Sequence, residues 1–81
     1  PTFSGKFILV DQRLVGQKHL KLTVRTLKTN QEIDAICFNI DPSIWPNFRC
    51  TQAKLIYRLC VNEYNGRRSV QLMVEEIITH E

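Results

Sequence analysis

Residues 53–78 read AKLIYRLCVNEYNGRRSVQLMVEEII, and the fold turns on whether this stretch is two strands or a strand and a helix. Before Asn65-Gly66, Leu55, Tyr57, Leu59 and Val61 fall on one side, and Lys54, Ile56, Arg58, Cys60 and Asn62 on the other. A period of two is the pattern of a β-strand. Asn-Gly is the strongest short hairpin signal, because a type I′ turn needs positive φ at both central residues. After it, Val70, Leu72 and Val74 alternate with Ser69, Gln71 and Met73. Glu75 and Glu76 favour helix, so an amphipathic helix over 69–78 competes. The tight hairpin in front of it decides for strand, giving two long antiparallel strands, 53–64 and 67–78.

Working back toward the amino terminus, residues 19–26 (HLKLTVRT) alternate as well. Leu20, Leu22 and Val24 point one way; His19, Lys21, Thr23 and Arg25 point the other. Residues 6–14 (KFILVDQRL) form an earlier strand, with Gly16 marking the turn between the two. A polar turn at 28–31 (KTNQ) leads to a strand at 33–40 (IDAICFNI), with Ile36 and Phe38 on one face and Ala35 and Cys37 on the other. In residues 41–52 (DPSIWPNFRCTQ), Pro42 and Pro46 exclude a regular strand and leave room for at most one helical turn. The order is a three-strand meander, an irregular connection, then a hairpin. That is an all-β chain with the strand order of a five-stranded OB-fold barrel, carrying an irregular connection between strands 3 and 4. An SH3-like barrel competes, but its strands are generally shorter than the last two here.

The 81 residues suffice for one domain, and 43% hydrophobic with 23% charged residues is an ordinary globular composition. A chain opening at Pro1 without methionine reads as a domain of a longer protein or one with a processed start. No apolar run is long enough to span a bilayer as a helix, and no signal-peptide pattern occurs, so no membrane partner is expected. Cys37, Cys50 and Cys60 form no C-x-x-C pair, which fits reduced cysteines used as small apolar residues. His19 and His80 stand alone, no nucleophile–base pairing is evident, and adjacent Glu75 and Glu76 are expected on opposite faces of a strand. The chain lacks a glycine-rich phosphate loop. Neither a catalytic nor a metal site is expected.

The net charge of +3 is unevenly spread. Residues 1–30 hold six cations against Asp11 alone, and residues 49–68 hold Arg49, Lys54, Arg58, Arg67 and Arg68 against Glu63. Acidic residues gather at Glu32, Asp34 and Asp41 and again at the carboxyl end. In an OB-fold the ligand face is the outer surface of strands 2 and 3, flanked by the 1–2 and 4–5 loops. That frame puts His19, Lys21 and Arg25 outward on strand 2, Lys18 in one loop and Arg67 and Arg68 at the other. Arg58 faces outward on strand 4, and Ala35 and Cys37 would floor a shallow groove. A basic groove with aromatic platforms suits single-stranded nucleic acid. Tyr64 is the best stacking candidate, ahead of Trp45 and Phe48. The candidate DNA-binding set is Lys18, His19, Lys21, Arg25, Arg58, Tyr64, Arg67 and Arg68. The same cations would serve equally as a solvated face or meet an acidic protein.

Several segments, taken in order, resemble the OB-fold domain of the RecJ family of bacterial exonucleases, which degrade single-stranded DNA from the 5′ end. They are FSGKF (3–7), LVGQKHLKL (14–22), AICFN (35–39), Trp45-Pro46 and NEYNGRRSVQL (62–72). The chain departs from that family in carrying Cys60 where an acid is common and Asn65 where an arginine is common. The resemblance implies a strand-holding module of a larger cytoplasmic nuclease of DNA repair and recombination. It further implies that Mg²⁺ or Mn²⁺ belongs to a separate catalytic core with Asp/His motifs of the DHH type, which this chain lacks. The implied partners are single-stranded DNA, that catalytic core and single-strand-binding protein. A docking module for the core, or for that protein's acidic tail, is the alternative to DNA binding.

Overall fold

The computed structural model describes residues 1–79, so His80 lies outside the described residues. Five strands, β1 (Phe3–Val15), β2 (His19–Thr26), β3 (Glu32–Cys37), β4 (Gln52–Tyr64) and β5 (Arg67–Ile78), close into a barrel in the order β1-β2-β3-β5-β4. All neighbours are antiparallel except β3 and β5, which run parallel from Asp34–Gln71 to Ile36–Met73. This is the all-β, five-stranded closed barrel expected from the strand order, with no helix among the described residues. Asn65 and Gly66 both have positive φ (53° and 76°), as the type I′ turn demands.

β1 is longer than the 6–14 expectation because it serves two partners. Phe3 to Ile8 pair with β4, and Phe7 to Val15 pair with β2. Its register skips Val10, so Leu9 and Gln12 both turn inward on either side of the bulge. β3 stops at Cys37, short of the expected Ile40, and Asn39 with φ 57° turns the chain away.

The core consists of Leu20, Leu22, Val24, Ala35, Leu55 and Leu72, with Phe7, Leu9, Cys37, Ala53 and Val74 around them. Ala35 and Cys37 are therefore interior residues, not the floor of an outer groove. The register explains the correction: Leu22 lies opposite Ala35 and Leu20 opposite Cys37, and cross-strand partners share a face. Small side chains fit there because the two leucines fill the space. Truncating such a leucine to alanine costs about 2–5 kcal/mol. Burial also pushes the Cys37 thiol pKa up.

A second skip in register, from Ile56–Glu76 to Tyr57–Val74, leaves Glu75 as the extra residue of β5. Alternation resets there, so Val74 is buried and Ile77 packs on the core, while Glu75 and Glu76 are both exposed. They do not take opposite faces as simple alternation predicts.

Residues 38–51 cover one end of the barrel. Gln12, only 4% exposed, fastens them: its amide nitrogen donates to the carbonyls of Asn47 (2.8 Å) and Cys50 (3.1 Å), and its oxygen accepts from the Asn47 N–H (2.8 Å). Ile40, Trp45 and Cys50 pack down on the core, and the Ile40 N–H donates to the Lys18 carbonyl at 2.8 Å. One turn forms within the segment, where the Asp41 carbonyl accepts from the N–H groups of Ile44 and Trp45. The Trp45-Pro46 peptide is cis.

Candidate nucleic-acid interface

β2 presents His19, Lys21, Thr23 and Arg25 outward, each half-buried, between fully enclosed Leu20, Leu22 and Val24. Following the register sideways from Lys21 gives Ile36 on β3, Met73 on β5 and Arg58 on β4. One outward row thus crosses four strands, with a cation at each end and apolar side chains in the middle. The next row is Thr23, Asp34, Gln71 and Cys60. Arg58 Nε donates to Glu75 Oε2 at 2.9 Å, with both side chains about half exposed. Such a pair contributes about 0–1 kcal/mol, so a phosphate could displace Glu75 readily.

The amino end of this face is built by the tight turn through Gly16 (φ 66°), which leaves Lys18 exposed. His19 Nδ1 accepts the Asn39 N–H at 3.2 Å, and its ring meets the edge of Phe38 with centroids 5.1 Å apart. An Nδ1 that accepts leaves the neutral ring's proton on Nε2. His19 therefore has a structural bond on one nitrogen and a donor on the other.

The other flank is the β4–β5 hairpin. Tyr64, 78% exposed, lies across from Arg67. Arg67 and Arg68 are consecutive strand residues and project to opposite faces. Arg67 shares the outward side with Tyr64, Asn62 and Cys60. Arg68 instead shares the side of Val61 and Val70, and its Nε reaches Glu63 Oε2 at 3.4 Å. The expected pair of arginines is split.

Two of the acids, Glu32 and Asp34, also reach this surface. Arg25 lies opposite Glu32 and Thr23 opposite Asp34, both acids being exposed. Beyond Asp34 the β3–β5 pairing ends, and a groove opens between Thr23, Glu32 and Asp34 on one wall and Arg68, Ser69 and Val70 on the other. The positive surface is thus divided into a Lys18–Lys21 flank and a Tyr64–Arg67 flank, with carboxylates between.

Of the secondary aromatics, Trp45 packs against the core while Phe48 stands well exposed on the connection. Phe38, Ile36 and Met73 are the surface residues that reading of the chain left out of the site. The signal was present, since "AICF" alternates; pairing Ala35 with Leu22 would have put Phe38 beside His19. Among the described residues no group of three His, Cys, Asp or Glu side chains could hold a metal ion, and no helix is long and apolar enough to cross a membrane.

Comparison with known proteins agrees with this architecture. Residues 1–76 match the family described as the RecJ OB domain. The chain is 47% identical over 77 residues to the single-stranded-DNA-specific exonuclease RecJ of Dickeya dadantii, covering 95% of this chain and 13% of that protein. It is 40% identical over 77 residues to the protein of the same name from Escherichia coli, with the same coverage. Against the Haemophilus influenzae protein the identity is 42% over 79 residues, covering 95% of this chain and 14% of the relative. The chain thus spans about an eighth of the length of these curated relatives. It belongs to the RecJ OB domain family.

Proposed function

We propose that this chain is the strand-holding domain of a longer, single-stranded-DNA-specific exonuclease, and that it binds DNA without cutting it. The observation that carries the reading is the outward row Lys21–Ile36–Met73–Arg58. Cations at its ends suit phosphates, and the rings on which bases stack flank it, the two requirements of sequence-tolerant single-strand binding. Phe38 beside His19 and Tyr64 beside Arg67 supply an aromatic ring at either flank. The relatives' printed name, a single-stranded-DNA-specific exonuclease, supports the ligand class. Metal-dependent hydrolysis belongs to the remainder of that longer protein, where Mg²⁺ or Mn²⁺ would be held.

Fluorescence anisotropy of a labelled single-stranded oligonucleotide, titrated with the chain at two salt concentrations, tests this. Four or five phosphate contacts give a log–log salt slope of about −3. Binding should favour the single strand over duplex and weaken about 5- to 100-fold in Phe38→Ala, the equivalent of one lost stacked base. Equal affinity for duplex, or no binding at low salt, would overturn the reading.

A further inference from the structure

The core-facing side of the sheet does not end where the barrel ends. Along β4, Leu55 and Tyr57 are followed on the same face by Leu59 and Val61, which are 53% and 61% exposed. Val70, 50% exposed, lies opposite Val61, and Leu59 lies opposite buried Leu72. Phe3, also exposed, extends this surface by stacking on Tyr57 with ring centroids 5.9 Å apart. At the same end, where Phe7 pairs with Thr26, a cleft of about 470 Å³ opens among Gly5, Phe7, Thr26 and Leu27, with Lys6, Lys28 and Thr29 also lining it.

From this we infer a second functional surface: the inner face of the β4–β5 hairpin docks onto another part of the same polypeptide, while the outward face holds DNA. The inference rests on the reading that the chain is one domain of a longer nuclease, and it assigns the face that meets the rest of that protein. Length favours this occupant, since matches cover 13% of the relatives and leave about 87% of their polypeptide outside this domain. Chemistry favours it too. Leu59, Val61 and Val70 have no π face on which a base can stack, and the arginine on their side of the hairpin, Arg68, is already engaged by Glu63. An aliphatic centre edged by an exposed ion pair is the composition of a protein–protein contact. The complementary surface on the remaining polypeptide is therefore aliphatic, with polar groups at its edge.

The test uses cysteine reporters in a background where Cys50 and Cys60 are replaced by serine and only the buried Cys37 of this domain remains, the reporter's own labelling being read by peptide mass spectrometry. Val61→Cys reports the inner face and Ser69→Cys the outer; Val70→Cys provides a second inner reporter should Val61→Cys fold poorly. In the 81-residue chain both faces should react with a maleimide at similar rates. In the full-length protein the inner reporters should slow by about tenfold or more relative to Ser69→Cys, as reaction awaits local opening. Equal rates in both contexts would overturn the inference. So would protection in the isolated chain that grows with its own concentration, indicating a second copy, or that follows added single-stranded DNA. Anisotropy on the isolated chain reads the strand-holding proposal separately, so either can fail alone.

Discussion

The two ends of this barrel treat the same problem differently. Both must deal with apolar side chains on the inner side of a sheet whose strands run past the core. At one end, residues 38–51 fold across the opening, Gln12 holds them by three hydrogen bonds, and Trp45, Ile40 and Cys50 complete the packing. At the other, β4 and β5 continue past the barrel as a two-stranded arm whose inner residues, Leu59, Val61 and Val70, face water. A covered end contributes stability; an uncovered one contributes surface. In a domain this small that choice matters, because one or two kcal/mol is a large share of the total.

Breaking the covered end should have the largest effect. Gln12→Leu keeps the approximate volume but strands the Asn47 N–H and the Cys50 carbonyl, while the Asn47 carbonyl keeps only its bond from the Cys50 N–H. Unsatisfied buried groups cost about 1–3 kcal/mol each, and partial rehydration limits the sum to about 3 kcal/mol. For a domain of this length that is a fall in Tm of roughly 12–24 °C. Val61→Ser, at the other end, should move Tm of the isolated chain by about 3 °C or less, as ordinary surface substitutions do. Thermal unfolding followed by circular dichroism compares them directly. Similar losses in the two variants would abolish the distinction between the ends.

The thiols sharpen the same contrast. Cys37 lies in the core at the covered end, and burial raises its pKa; Cys60 lies half-exposed on the arm. The thiolate is the reactive form, so Cys60 should be labelled by a maleimide on the order of 100-fold faster than Cys37, which reacts only after the core opens. A raised folded pKa also fixes a sign. The stability associated with the neutral Cys37 thiol is fully present below the unfolded pKa, near 9.0, and is lost as pH rises through the folded value. Mass spectrometry of a labelling time course gives the order of reaction, and labelling of Cys37 before Cys60 would contradict the assigned faces.

The hairpin itself divides by face. Arg67 stands with Tyr64 on the outward side, and Arg68 pairs with Glu63 on the inner side. If the outward side alone meets the strand, Arg67→Ala should make the salt slope shallower by about 0.7, one phosphate contact. Arg68→Ala should leave the slope unchanged. Equal effects from both arginines would mean that the strand wraps the arm, and the separation of faces would have to be given up.

How much of this was legible in the chain depended on whether a feature is local or relational. The alternation of residues 19–26 and the Asn65-Gly66 turn are local, and the observed β2 and hairpin coincide with the strands read from them. The face of β3 was not legible. Ala35, Ile36, Cys37 and Phe38 alternate without declaring which pair is inside, and only the pairing of Ala35 with Leu22 decides it. Glu75 and Glu76 share exposure because of a bulge, and a single extra residue is invisible to a rule of strict alternation. Gln12 was hidden for a related reason: its partners, Asn47 and Cys50, lie 35 and 38 residues away. The split of Arg67 from Arg68, by contrast, follows from alternation alone and could have been read from the sequence.

The smallest expected effect concerns the turn that begins the covering segment. Asp41 Oδ1 accepts the Ser43 N–H at 2.9 Å and the Ser43 hydroxyl at 2.7 Å, and these bonds hold its carboxyl below the ordinary range. A lowered folded pKa means that the unfolded chain binds the proton more readily. Asp41 therefore contributes stability above its unfolded pKa of about 3.8, and that contribution is lost as pH falls through the lower folded value. Asp41→Asn retains a hydrogen-bond acceptor but cannot ionise, so the variant should be slightly less stable than the parent near pH 7. The difference should shrink as both are acidified. Urea midpoints for the two proteins at neutral pH and near pH 3 measure it. A gap that widens in acid would mean that the Asp41 carboxylate does not help hold the start of the covering segment, leaving Gln12 and the packing of Trp45 to fasten it.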